Sequence, residues 1–172
     1  MKLHTPLAIA RNDAFLIRLH SPLVTLAGGR VVEINPPKIQ HKSTEWKRYF
    51  EIMASSEYED IIYTIIDKCF LDAVSRIFLQ QKLFEREENI LEVIESLIRQ
   101  KKIRVLKLKG TDHYISETNF NHLVGTIEKY ISDFHNKHSH LPGVNHQELI
   151  SGAGYSWLQL EIFNEAIKKL LD

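Results

Sequence analysis

The chain has 172 residues, 44% of them hydrophobic and 26% charged, which is enough for one or two small cores and too apolar for a disordered chain. Its 22 Lys and Arg balance 22 Asp and Glu, so no net charge draws it to nucleic acid or to a membrane, and any such attraction is local. The single cysteine, Cys69, excludes an internal disulfide and fits a reducing cytoplasm. Set between Ile66 and Leu71, it reads as a small buried hydrophobe. No apolar run approaches the ~20 residues that span a bilayer, and Arg11, Asp13 and Arg18 interrupt the opening stretch as they would not in a signal peptide.

The first predicted elements are strands. Phe15, Ile17 and Leu19 alternate with Ala14, Leu16 and Arg18, a period of two that gives a strand one inward face. A second apolar run, Leu23 to Ala27, and a third, Val31 to Ile34, follow across Ser21-Pro22 and Gly28-Gly29. Both breaks have turn chemistry, since proline fixes φ and paired glycines permit positive φ. After Pro37 the pattern changes to helical periods. Trp46, Tyr49, Phe50 and Met53 recur at three- and four-residue steps, and a Ser55-Ser56 break separates them from Ile61, Ile62, Ile65 and Ile66 on a second helix. Lys38, Lys42, Lys47 and Arg48 make the first of these helices locally basic, which suits a solvated face or an RNA contact.

Asp72 is the expected N-cap of a short helix through Ala73, Val74, Ile77 and Phe78, with Leu83-Phe84 leading to a further helix from about Glu87 to Gln100. That helix is expected to bury Ile90, Ile94, Leu97 and Ile98. Its charges, Glu85, Glu87 and Glu88 at the start and Arg99, Lys101 and Lys102 at the end, complement the helix dipole. Ile103 to Leu108 then alternates apolar and basic, Lys109-Gly110-Thr111-Asp112 turns the chain, and His113-Tyr114-Ile115 returns. Three helices followed by a β-hairpin make a winged helix. The order then begins again. Ser116 caps a long helix through Phe120, Leu123, Val124, Ile127, Tyr130, Ile131 and Phe134, Asn145 and Glu148 form a capping box, and Ser156 with Gln159 caps a last helix through Ile162, Ala166 and Leu170. No hairpin follows this second set, so the repeat reads as a winged helix truncated before its wing.

The run Ser21-Pro22-Leu23, Gly28-Gly29-Arg30-Val31-Val32 and Asn35-Pro36-Pro37 resembles the last barrel strands of the bacterial selenocysteine-specific elongation factor family. Leu141-Pro142-Gly143-Val144-Asn145-His146-Gln147-Glu148-Leu149 is similar in kind to a pattern of that family's second winged-helix module. The resemblance implies an α+β, mostly helical fold, in which tandem winged-helix modules follow the remnant of a translation-factor β-barrel. The expected parts are barrel strands over 1–37, a linker helix over 38–56, one winged helix over 57–116 and a truncated one over 117–172. The family is a translational GTPase that carries selenocysteyl-tRNA to the ribosome and whose last modules hold the messenger stem-loop recoding UGA. The resemblance implies a cytoplasmic fragment acting as a spacer, with RNA (tRNA, rRNA or messenger stem-loop) or the ribosome as partner.

The chemistry of the chain is limited. A GTPase needs G-x-x-x-x-G-K-[ST], and none of Gly28, Gly29, Gly110, Gly125, Gly143, Gly152 and Gly154 has that setting. The expectation is therefore no enzyme activity and no cofactor in this chain, with GTP and Mg belonging to the full-length family. No G-x-S-x-G elbow or zincin motif occurs either. His135, His138 and His140, with His122 earlier, could meet a divalent ion, but without a cysteine and with only Asp133 close they read as a solvated cluster near a helix end. The candidate nucleic-acid site is the basic run Arg99, Lys101, Lys102, Arg104, Lys107 and Lys109, expected to gather much of its charge on one face of the wing, with His113 or Tyr114 to stack beside it. The same run suits a solvated edge hairpin whose lysines discourage aggregation. The preceding helix carries Glu85, Glu87, Glu88, Glu92 and Glu95, the wrong sign for a groove-reading helix. That disfavours DNA and the competing reading of a DNA-binding transcriptional regulator, and leaves a protein-interaction module as a further alternative.

Overall fold

Alternation of apolar residues in the opening segment produces β1 (Ala14–Arg18), which pairs antiparallel with β2 (Thr25–Arg30). The computed structural model describes residue 5 and residues 7–34, 44–54 and 57–171. The Asn35-Pro36-Pro37 run, Lys38, Lys42, the 37/38 boundary and the Ser55-Ser56 break lie outside the described residues.

The chain reverses around Ser21-Pro22, where the Leu19 amide donates to the Val24 carbonyl at 2.9 Å. Two expectations fail beyond it. Gly28-Gly29 is no turn but part of β2, and residues 31–34 form no strand. The reason is cross-strand: Gly29 lies opposite Phe15, and a Cβ there would come within 2.9 Å of Phe15 Cζ, so the missing side chain makes room for the ring. The hairpin is otherwise poorly covered, with Leu16 66% and Leu26 58% exposed.

Helical periods then take over as α1 (Thr44–Ala54) and α2 (Tyr58–Lys68). Tyr49 and Met53 of α1 and all of Ile61, Ile62, Ile65 and Ile66 of α2 are buried, as their spacing predicts. The hairpin segment is fastened to this body at its two ends. Arg11 Nη2 donates to the Met53 carbonyl at the end of α1, 2.5 Å away, while Val32 packs on the first core. The Glu33 side chain, only 2% exposed, is ion-paired with Lys82.

Next comes β3 (Val74–Ser75), then α3 (Arg76–Leu83) and α4 (Glu87–Arg99). Asp72 is not the cap of α3. β-branched Val74 pairs with Tyr114 of a later strand, and Ser75, still extended, accepts from the Phe78 amide at 3.2 Å. On α4, Ile90, Ile94 and Leu97 are buried, but Ile98 lies at the edge of that face and is 36% exposed.

β4 (Ile103–Leu108) and β5 (Thr111–Ser116) complete an antiparallel sheet of order β3-β5-β4. Its two faces belong to different cores. Val74, Ile103 and Tyr114 join the first core with α1, α2, α3 and α4, while Leu106, Leu108 and Ile115 join the second. The second core is built by α5 (Glu117–Lys137), α6 (His146–Gly152) and α7 (Leu160–Leu171). Ser116 caps α5 through the Asn119 amide at 3.2 Å, and Asn145 caps α6 through the Glu148 amide at 2.8 Å. Ser156 does not cap α7; it sits in the turn before it, and the Gln159 carbonyl accepts the first helical amides. The whole is α+β and mostly helical.

Candidate nucleic-acid interface

Two of the six cations of the basic run, Arg104 and Lys107, stand on β4 and are separated by strand parity. Arg104 stands on the face of β4 that carries Leu106 and Leu108, whereas Lys107 stands on the face of Ile103 and Val105, so the expected single basic face does not form.

Arg104 is drawn into the second core. Its Nε and Nη2 donate to Glu117 Oε2 and Oε1 at 2.9 and 2.8 Å, and its guanidinium lies 4.3 Å from the centroid of the Phe120 ring. Lys169 of α7 donates to the same Glu117 Oε1 at 3.0 Å and to Asn121 Oδ1 at 2.6 Å. Hydrogen bonding to Arg104 holds the Glu117 carboxyl below the usual carboxylate range, and the same bond raises the Arg104 guanidinium further. This hub joins sheet, α5 and α7. The sequence signal it left was only that Glu117 opens a helix; nothing local pointed to Lys169.

Two further cations are paired. Lys102 donates to Glu59 Oε1 at 3.2 Å, on a carboxylate that also accepts from Ser96 and Gln100, and the bond from Gln100 foremost lowers its carboxyl. Lys107 pairs with Asp112 across the strands at 2.5 Å, and both are exposed.

Arg99, Lys101 and Lys109 remain exposed, with no ion-pair partner among the described residues. Both lysines occupy unusual backbone. Lys101 has φ 56° just beyond α4, where its amide donates to Ile98 O and the Lys102 amide to Leu97 O, a helix ending that normally takes glycine. Lys109 and Gly110 have φ 50° and 80°, the tight turn of a twisted hairpin in which asparagine or glycine usually stands first. The Lys-Gly pair between alternating strands was the readable signal for this. Lys101 and Lys109 flank β4 at opposite ends, and its six residues alone span about 20 Å.

The exposed face of α4 is acidic. Glu88, Glu92 and Glu95 are exposed on α4, one turn apart. His113 Nδ1 lies 3.2 Å from the Thr111 carbonyl, and Tyr114 is buried, its hydroxyl raised mainly by that burial, so Tyr114 offers no free stacking face.

The histidines disperse along the second unit. His122 packs edge-on against Phe70, while His138 lies against Phe134 with His140 6.2 Å from it. Among the described residues no group of three or more His, Cys, Asp or Glu could hold a metal ion. Cys69 is half-buried against the first core, and burial pushes its thiol up. Among the described residues no helix is long and apolar enough to cross a membrane.

No curated protein matches the chain. The family model of the β-barrel domain of the selenocysteine-specific elongation factor matches residues 1–38, which contain β1, β2 and the fastening residues Arg11, Val32 and Glu33. This stretch is thus similar to the β-barrel domain of the selenocysteine-specific elongation factors.

Proposed function

We propose that this chain serves selenocysteine incorporation at UGA codons in the cytoplasm, as a non-catalytic part of a selenocysteine-specific elongation factor. The observation that carries the reading is the barrel-domain match over residues 1–38. Residues 1–37 are the last strands of the factor's barrel and 38–56 the linker. Residues 57–116 form a winged helix, and 117–172 the helices of a second one. The order helix, short strand, two helices and hairpin, with β5 between β3 and β4, supports that assignment. GTP and Mg belong to the factor's GTPase domain, and this chain contains no phosphate-cradling motif for them.

The two modules act as a spacer, with RNA or the ribosome touched at separate points through Arg99, Lys101 and Lys109 rather than through a continuous basic face. Lysine in left-handed backbone costs roughly 1–2 kcal/mol, and two of these three cations accept that cost. Both lysines are exposed at their turns, so their charges are open to a phosphate. The acidic exposed face of α4 opposes a DNA-groove reader.

The test is a salt-dependent titration against a structured RNA hairpin, a tRNA and a duplex DNA of matched length. The variant carries Arg99→Ala, Lys101→Gly and Lys109→Asn, changes that leave Arg104 and its hub in place. Preference for RNA, with the salt slope reduced by about 0.7–0.9 per lost phosphate contact in the variant, supports the reading. An unchanged slope removes these residues from any interface, and a preference for duplex DNA overturns the translational role.

A further inference from the structure

The hairpin and α4 enclose a groove that the spacer reading leaves unused. It has a volume of about 470 Å³ and lies between the start of α3, the middle of α4 and the tip of β5. Ile77, Leu91 and Tyr114 supply its apolar walls. Ile77 is 59% exposed, a large apolar side chain standing open to water beside the groove.

Its rim is acidic. Leu91 points into the groove from α4, and residues three before and four after it lie on the same side of a helix. Those residues are Glu88 and Glu95, both exposed and without an ion-pair partner among the described residues. The opposite rim carries Asp112, paired with Lys107 at 2.5 Å. The cation within the groove, Arg76, pairs with Glu87 at 2.6 Å, so the two pairs balance and the uncompensated charge at the groove is that of Glu88 and Glu95. Unpaired carboxylates thus border the apolar floor of the groove on its α4 side.

A nucleic-acid backbone is repelled by such a rim, and an acidic or neutral peptide leaves it unanswered. We propose that the groove between α3, α4 and β5 docks a basic protein segment, with an apolar side chain between Ile77 and Leu91 and flanking Lys or Arg facing Glu88 and Glu95. Apolar anchoring supplies affinity and the charged rim supplies selectivity and approach rate. The proposal does not depend on the translational reading, and the RNA titration does not probe it.

The experiment is fluorescence anisotropy of the whole chain with a set of Lys- and Arg-rich peptides of about ten residues, each carrying one Leu, Ile or Phe, beside a peptide of the same charge lacking the apolar residue. Anchored peptides are expected to bind more tightly than the unanchored one. Glu88→Lys with Glu95→Lys is expected to weaken them about tenfold or more, as reversal of facing charges does. Ile77→Ser, at an exposed position where folding is undisturbed, is expected to remove the advantage of the anchor. Glu161→Lys, exposed on α7, is the control and leaves binding as it was. Failure of every anchored peptide to bind, equal binding by the unanchored peptide, or equal weakening by Glu161→Lys overturns the proposal.

Discussion

A single parity step separates the two fates of the basic residues on β4. Lys107 faces water with Asp112, while Arg104, three positions earlier, is committed to Glu117 and the Phe120 ring. The alternation was readable in the sequence, because residues an odd number apart on a strand lie on opposite faces. What was not readable is that the second face would be covered by α5 and α7, since that depends on packing between distant segments.

The same hub makes stability sensitive to acid. The Glu117 carboxyl is lowered in the folded protein, chiefly by its hydrogen bond from Arg104. A carboxyl with a depressed folded pKa contributes stability that is full above its unfolded value, about 4.3, and is lost as pH falls through the lower folded value. Glu117→Gln is therefore expected to cost stability at neutral pH, about 1–3 kcal/mol for charge-assisted bonds replaced by weaker ones. Below about pH 4.5 its melting temperature should fall less steeply than that of the parent. Glu59 is lowered too and remains in both proteins, so the difference between the two curves isolates Glu117. Parallel curves from about pH 6 to pH 3 would show that the hub carries no linked proton.

At the scale of elements, the sequence was most informative where a signal is local. The isoleucines of α2, the cap at Ser116 and the cap at Asn145 each lie within a turn or two of what they organise, and each appears where its pattern puts it. β3 escaped because its two residues are a strand only by pairing with His113 and Tyr114, far along the chain. Gly28-Gly29 misled for a similar reason: the ring that needs Gly29 belongs to the opposite strand.

Gly152 is another case in which a distant partner sets the residue. It ends α6, and a Cβ there would fall 2.1 Å from the Tyr130 hydroxyl of α5, so the two helices meet at a point that admits no side chain. Gly152→Ala is expected to destabilise by about 1–3 kcal/mol, the usual cost of overpacking, as the Tyr130 ring is displaced. Combining it with Tyr130→Ala should remove most of that added cost, a coupling that a double-mutant cycle in urea measures. Additive effects would mean that the ring moves aside freely.

Over the whole molecule, one thin sheet serves two cores. Three strands divide their side chains between α1 to α4 on one side and α5 to α7 on the other, so the second helical unit uses the first unit's hairpin as its floor. This sharing accounts for a second unit that packs with no strand of its own among the described residues. It also restrains the hairpin, which leaves only the Lys109-Gly110 tip free to reach outward.

The opposite end is held by a different principle. The two-stranded hairpin of β1 and β2 covers little of its own apolar surface, and such a pair is marginal alone. Its position on the helical body rests on Arg11 at the end of α1, on Val32, and on the buried carboxylate of Glu33 facing Lys82 and the Tyr49 hydroxyl. Burial, reinforced by that carboxylate, raises the Tyr49 hydroxyl above its ordinary range. Removing one member of a buried pair costs more than replacing both, about 3–5 kcal/mol, because the survivor keeps its charge without compensation. Lys82→Met should therefore loosen the joint, and amide exchange in residues 9–34 and in α1 should quicken while α5 is unaffected. Lys82→Met with Glu33→Met should restore much of the protection, since an apolar pair of similar size has no stranded charge. If Lys82→Met leaves exchange in residues 9–34 unchanged, the joint is held by Val32 and Arg11. The hairpin would then be able to turn about them, and its position on the helical body would be less rigid than the buried ion pair implies.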